Sequence, residues 1–283
     1  MPKNDMRRSD ALVLDAMSDE LTRSMGKLRL EGYEDPYFIS YQIKDNNFYE
    51  IEAKYGAVVS STKNRIRRLF VDVRVGDYDF DNSIKGRSGG GLPFSGSSSV
   101  PIDDDPDAIR TVLWQVTDYA YKDALTQYLN KKAGHVQEVT DEDIGSFTQE
   151  PAHVFYGPEL TLPFDPEKWE KIVRDVSAVY KEYKDILDAD IAVTAQKETV
   201  YFVNTEGTRY IRDEILYSID AQVTARADDG KIVENYRNLY YVSPEDIPSP
   251  EELENKVREM VEETLMMRGA KALQPLTVPA LLE

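Results

Sequence analysis

Residues 69–82 read LFVDVRVGDYDFDN, and Asp77, Asp79 and Asp81 stand at alternate positions as the carboxylates of a calcium loop do. Such a loop also needs glycine at its sixth position, for the sharp turn, and a bidentate glutamate at its twelfth. Those places hold Asn82 and Ser88, so the metal-loop pattern fails. The apolar residues around it give a different reading. Val71, Val73 and Val75 occupy odd positions, whereas Tyr78 and Phe80 occupy even ones. A strand changes faces only by gaining a residue, which predicts a β-bulge or tight kink at Gly76-Asp77. The three aspartates then fall on the solvent face of the continuing strand.

Other reactive constellations are just as sparse. The chain has two histidines, His135 and His153; neither sits in an HExxH arrangement, and the HxxE spacing of His135 to Glu138 falls after the predicted helix end, where it does not put both side chains on one helix face. Ser88 stands in a GxSxG spelling, Gly86-Arg87-Ser88-Gly89-Gly90, but no strand leads directly into a helix through these glycines as a nucleophile elbow requires. The absence of cysteine removes thiol nucleophiles and Cys-type zinc ligands. The segment 86–101, GRSGGGLPFSGSSSVP, lacks the GK[ST] ending of a phosphate loop and reads as a flexible loop inside a domain. With 52 acidic residues, spacing singles out no carboxylate pair for acid–base work. These residues spell out no catalytic constellation.

Lys plus Arg number 34 against 52 acidic residues, a formal charge of −18 that repels phosphate backbones and argues against nucleic acid as a partner. The one basic cluster, Arg65, Arg67 and Arg68, reads as a solvated strand edge. The apolar run ALVL near the N-terminus is too short for a secretory signal, and no run is long enough to span a bilayer. The expectation is a soluble, cytoplasmic protein with no membrane partner.

The elements that must position any site come from hydrophobic periodicity. A helix is predicted from Asp10 to Leu28, with Leu14, Met17, Leu21, Met25 and Leu28 on one face. PYFISYQIKDNNFYEIEAKYGAVVSS reads as short antiparallel strands broken at Asp45-Asn46-Asn47 and at Gly56, followed by the strand RIRRLFVDVRV. A second helix is predicted over 106–132, with Trp114, Tyr121 and Leu125 widening its buried arc and Gly134 as its left-handed cap. Asp165 and Pro166 start a third helix whose core face includes Trp169, Val173, Val176 and Tyr180. Strands follow at DADIAVTAQ, TVYFVN, TRYIR, EILYSIDAQVTARA and KIVENYRNLYYV, with turns at Asn204–Gly207 and Asp228-Asp229-Gly230. Ser249, Pro250 and Glu252 open a last helix with a capping box. The fold class is α+β: two helix-plus-antiparallel-meander units, residues 1–150 and 151–283, with helices packed on one face of mixed or antiparallel sheets.

The succession LDAMSDELTRSMGKLRLEGYEDPYFISYQI, YGAVVSSTKNRIRRLFVDVRVGDYDFDN, TVYFVNTEGTRYIRDE and QPLTVPALLE resembles the N-terminal half of the TldD/PmbA family, from about Leu12 to Glu283. The resemblance implies a relation to zinc metallopeptidases acting on peptides, or to their catalytically silent partners, once labelled modulators of DNA gyrase. In that family zinc is held by an HExxxH helix and a cysteine in a C-terminal domain. This chain reaches Glu283 without either, so no ligand carries over and no cofactor is expected within it. The apolar ending TVPALL reads as a cut end that another segment would cover. The implied role is a non-catalytic region forming cavity walls and contacts in a homodimer or heterodimer with a TldD/PmbA-like subunit. The alternative is a complete scaffold subunit paired with a separately encoded catalytic one. Peptide-groove candidates are the turn Asn204, Thr205, Glu206, Gly207, Thr208 and Arg209, together with the Gly/Ser loop.

Overall fold

A computed structural model describes residues 8–83, 96–135 and 145–270, together with Thr277 and Pro279. Its elements run α1 (Arg8–Lys27), β1 (Pro36–Lys54), β2 (Ala57–Val75), β3 (Gly96–Ser99), α2 (Pro106–His135), β4 (Val154–Tyr156), α3 (Pro166–Ala178), β5 (Ile186–Asn204), β6 (Arg209–Arg226), β7 (Ile232–Tyr241) and α4 (Pro250–Met267). The strands are ordered β3-β2-β1-β5-β6-β4, and β7 pairs antiparallel with β6. β2 with β3 and β6 with β7 are antiparallel, whereas β4 meets β6 in a parallel match of three residues. The class is α+β, as the periodicity predicts.

Several short strands expected from the sequence are in fact halves of long ones. β1 runs unbroken through Asp45-Asn46-Asn47, although those are turn-forming residues. The Asp45 carboxylate accepts hydrogen bonds from Arg65 and Arg67 of the neighbouring strand β2, so its charge serves a cross-strand pair instead of a turn. The chain reverses at Tyr55-Gly56, both left-handed at φ 46° and 75°, a two-residue hairpin whose twist suits the flanking strands.

The chain condenses into two compact units built from discontinuous segments. The first takes Met1–Asn47, Arg65–Thr161 and Lys197–Glu214; the second takes Phe48–Asn64, Leu162–Gln196 and Ile215–Glu283. The division at residue 150 drawn above follows chain order, whereas these units follow contacts in space.

In the first unit α1 and α2 bring Leu14, Met17, Ile109 and Leu113 against the alternate strand residues Ile39, Tyr41, Ile43, Val71, Val73 and Val75, all fully buried. Buried polar groups inside this core are matched: Thr117 donates to Leu113 O, and the Tyr41 hydroxyl lies between Thr117 and Ser24 at 2.9 and 3.3 Å. Burial pushes the Tyr41 hydroxyl up to about 12, keeping it protonated for that role. Tyr121 and Leu125 are buried as expected, but Trp114 is exposed, because it points off the arc that meets the sheet. Helix α2 also runs through Gly134 to His135 without a left-handed cap there. An internal glycine weakens a helix by only about 1 kcal/mol and does not by itself stop it.

In the second unit α3 and α4 cover Ile51, Ala53, Ile191, Val193, Ile219 and Val223. Asp165 caps α3 by accepting from Lys168 N–H, and Ser249 with Glu252 closes the capping box of α4. Trp169 is only partly buried and packs at the margin of this core.

Two expectations about loops are corrected. Of the Gly/Ser segment, residues 86–95 lie outside the described residues, but Gly96–Ser99 is strand β3, bonded to Arg68–Val71 of β2. The main chain of these small residues finds its partners along the exposed side of β2. Beyond Val75 there is no continuing strand with three solvated aspartates. Gly76 has φ 106°, Asp77 N–H donates to Phe80 O, and the Asp77 carboxylate accepts from the N–H groups of Asp79 and Phe80. This Asx-type turn folds Asp81 back to bridge Gly76, and Asp81 is fully buried. A Cβ at Gly76 would lie 2.2 Å from Phe80 O and 2.7 Å from the Tyr128 ring. Gly76→Ala is therefore expected to lower stability by at least about 1–3 kcal/mol, the range for forced left-handed backbone. A urea midpoint unchanged from the parent would contradict this.

Candidate functional site

The turn Asn204–Arg209 joins β5 to β6 in the first unit, and its polar groups are largely spent on holding its own shape. Gly207 takes φ 93° and donates to Asn204 O, while Thr208 N–H donates to the Asn204 side chain at 2.9 Å. Thr205 is sewn to β1 both ways: its N–H donates to Ile39 O at 3.0 Å, and its hydroxyl accepts from Ile39 N–H at 3.2 Å. Thr208 and Arg209 continue into the parallel match with β4, His153 N–H donating to the Thr208 hydroxyl and Arg209 N–H to His153 O. Arg209 differs from the rest. Among the described residues its buried Nε and Nη2 find no hydrogen-bond partner, and Asp15 lies 3.8 Å from Nη2.

Glu206 ties this turn to the one that holds Asp81, since the Tyr78 hydroxyl donates to Glu206 at 2.9 Å. Around Tyr78 is an aromatic group: Tyr37 edge-on at 4.9 Å, Phe147 stacked at 6.2 Å, and Phe38 edge-on to Phe147 at 4.9 Å. The Arg74 guanidinium lies over the Phe147 ring at 3.8 Å. It also donates to Asp72 at 2.9 Å and to Asp81 at 3.0 Å.

Asp81 is the hub of this arrangement. Its carboxylate accepts from the Tyr37 hydroxyl at 3.0 Å and from Ser83 N–H at 2.8 Å, and Lys131 stands 3.9 Å away. Burial alone would push this carboxyl up, but the hydrogen bonds from Ser83, Tyr37 and Arg74 outweigh it and hold the group below the usual 3.8. Tyr37 is pushed well above its ordinary range, first by burial and then by the neighbouring Asp81 charge. Three hydrogen bonds and the nearby Lys131 hold Asp81 as an anion, and its charge together with burial keeps Tyr37 protonated. The arrangement is a latch that fixes two turns, not acid–base machinery.

Two further ion clusters lie in the same unit. Arg67 is 2% exposed and donates to Asp45, Asp104 and Pro101 O, while Arg65 also binds Asp45. Of Arg65, Arg67 and Arg68 only Arg67 departs from the solvated edge, being buried and neutralised, whereas Arg65 and Arg68 are exposed. Asp213 accepts from Thr199 at 2.7 Å and pairs with Lys197 at 2.7 Å. Spacing gives no sign of these pairs, since each forms across strands. Arg74 is a partial signal: a cation alternating with buried valines, it needs an anion on the opposite sheet face.

The residues present do not fit a zinc site. The chain has no cysteine, the His153 ring stacks on Phe155, and among the described residues no three His, Asp or Glu side chains converge as a metal would need. The His135 side chain lies outside what the structure describes. No described helix is long and apolar enough to cross a membrane.

No family model and no curated protein matches the chain. Solved structures do. Two are described as putative modulators of DNA gyrase. The Thermotoga maritima protein has a TM-score of 0.51 at 12% identity, over 92% of this chain and 50% of that one. The Bacteroides thetaiotaomicron protein has 0.56 at 13%, over 95% and 52%. TldE from Thermococcus kodakarensis is matched at 0.45 and 10%, over 89% of this chain and 47% of that one. The chain spans about half the length of the structures it matches. It carries the fold that makes up about half of the two gyrase-modulator structures, the fold expected from its resemblance to the N-terminal half of the TldD/PmbA family.

Proposed function

We propose that this chain is a non-catalytic, cytoplasmic region of a TldD/PmbA-like metallopeptidase system, forming walls of the peptide cavity and subunit contacts. The observation that carries this reading is the fold match, which uses nearly all of this chain and only half of each neighbour. The fully engaged state of Asp81, Asp45 and Asp213 supports it, since groups locked in ion pairs position a chain and do not turn over substrate. Zinc and bond cleavage then belong to a segment outside these residues, either on the same polypeptide or on a partner subunit in a homodimer or heterodimer. Within the turn, Asn204, Thr205, Glu206, Gly207 and Thr208 supply a rigid rim. Arg209, a cation whose side chain is 30% exposed, is the member able to meet a peptide carboxylate.

The purified chain is expected to retain no stoichiometric zinc and to cleave no peptide. One tightly bound zinc by elemental analysis, or turnover by these residues alone, would overturn the proposal. Reading the coding sequence beyond Glu283 separates the two arrangements: an in-frame HExxxH places the chemistry in cis, and a stop codon places it in a partner. In the active assembly, Arg209→Ala should raise KM for peptides with kcat little changed, the pattern for lost ground-state binding. An unchanged KM would remove the turn from the groove.

A further inference from the structure

Strand β7 of the second unit has an open side. Among the described residues it pairs with β6 alone, in a ladder that places Arg226 opposite Ile232 and Tyr217 opposite Tyr241. At the hairpin end Ala227 N–H donates to Lys231 O at 2.8 Å. Hydrogen-bonded pairs alternate along an antiparallel ladder, so odd-numbered residues of β7 bond to β6 and even-numbered ones point their N–H and C=O away from it. The outward row is therefore Ile232, Glu234, Tyr236, Asn238 and Tyr240. Ile232, Tyr236 and Tyr240 are also 52%, 68% and 61% exposed. The strand is ten residues long and holds no proline, so two of the usual safeguards of an edge are absent.

At the centre of this row a third safeguard is present. Tyr236 N–H donates to the Asn235 side-chain oxygen at 3.0 Å, and Tyr236 C=O accepts from Arg237 Nη1 at 3.1 Å. The two capping side chains are joined to each other at 3.2 Å. Both are anchored on α4: Asn235 donates to Glu263 at 3.2 Å, and Arg237 pairs with the same carboxylate. The two outward main-chain groups at mid-strand are thus already engaged by neighbouring side chains.

The side-chain order of β7 says which strand would fit once those caps are withdrawn. In an antiparallel pairing of β7 with another β7 centred on Tyr236, that tyrosine meets its own copy. Ile232 then faces Tyr240, Val233 faces Leu239, Glu234 faces Asn238 and Asn235 faces Arg237. Apolar meets apolar, and no like charges are opposed. A two-residue shift one way sets Arg237 against Arg237, and the other way sets Val233 against Arg237. We infer that the open side of β7 is a strand-addition site for a second copy of this chain, held shut by the Asn235–Arg237–Glu263 clamp. This stands independently of the peptidase reading.

The cysteine-free sequence makes the test direct. The full chain carrying Tyr236→Cys is oxidised and the disulfide-linked dimer is timed, with the exposed Tyr119→Cys on α2 as the collisional control. A paired residue meeting its own copy has its Cα atoms within disulfide range. With the clamp intact, Tyr236→Cys should link no faster than the control. Adding Glu263→Ala, or Asn235→Ala with Arg237→Ala should one variant fail to fold, should speed linking about tenfold or more, the effect of losing roughly two net hydrogen bonds. Under the same conditions a mixture of Ile232→Cys and Tyr240→Cys chains should link to each other in preference to themselves. Equal rates with and without the clamp, rates never above the control, or linking without regard to register would each overturn the inference.

Discussion

Asp45→Ala will lower the free energy of unfolding by about 3–5 kcal/mol, the cost of leaving a buried cation without its anion. Arg67 has a side chain only 1% exposed, and two of its hydrogen bonds go to one oxygen of Asp45, at 2.9 and 2.6 Å. Asp104 and Pro101 O take part of the remaining donors, but Asp104 is a partly exposed residue at the margin. Without Asp45, water must reach Arg67 by opening the β1–β2 pair, or the charge stays unbalanced. Replacing both partners by apolar residues of similar volume, Asp45→Leu with Arg67→Met, should restore most of the loss, because the desolvation cost leaves with the charges. Urea unfolding of the three variants is the measurement. A single-variant loss below about 1 kcal/mol would mean that the cluster is solvated and contributes as a surface pair does.

The second large effect belongs to Asp81. Asp81→Ala leaves the Tyr37 hydroxyl and the N–H of Ser83 without their acceptor and Arg74 with Asp72 as its remaining anion. It should cost about 3 kcal/mol, the low end of the buried-pair range since Arg74 keeps that anion and some solvent contact. The same group gives the protein an acid limit. Asp81, Asp45 and Asp213 all sit below the usual 3.8 when folded. In each, burial acts upward and is outweighed by hydrogen bonds and neighbouring cations. A carboxyl with a depressed folded value contributes stability that is complete above its unfolded value and is lost as pH falls through the folded one. Asp190 is raised, chiefly by burial, and opposes the other three. Six surface carboxyls, Glu34, Glu182, Asp229, Glu245, Glu252 and Glu263, are also lowered and add weakly through solvent. The urea midpoint should therefore hold steady down to about pH 5 and drop below about pH 4, with a shallower drop in Asp81→Ala. A midpoint unchanged at pH 3 would contradict the latch described for Asp81.

The contrast between Asp45 and Asp165 shows how far sequence order carries in this protein. Asp165 precedes a proline and an amphipathic run, and its role as helix cap follows from three neighbouring residues alone. The capping box at Ser249 and Glu252 and the turn at Gly230 are of the same kind. Asp45, next to two asparagines, has every local mark of a turn, yet lies in mid-strand because its partners are 20 and 22 positions away. Asp81 was misplaced for a similar reason: the turn after Gly76 reverses the chain, and alternation ceases to report which side faces solvent.

Local sequence therefore settled what depends on periodicity and on neighbours within a turn or two: the α+β class, the helix starts and the buried valine row of β2. The family resemblance, carried by ordered segments, pointed to the fold that the solved neighbours share. Tertiary structure alone decided which charges are buried together, that the short strands are joined into long ones, and that the rim Asn204–Arg209 is tied to Asp81 through Tyr78 and Glu206. Those outcomes rest on pairs of residues distant in the chain. A buried carboxylate is stable only beside its cation, and no local pattern records where that cation will be.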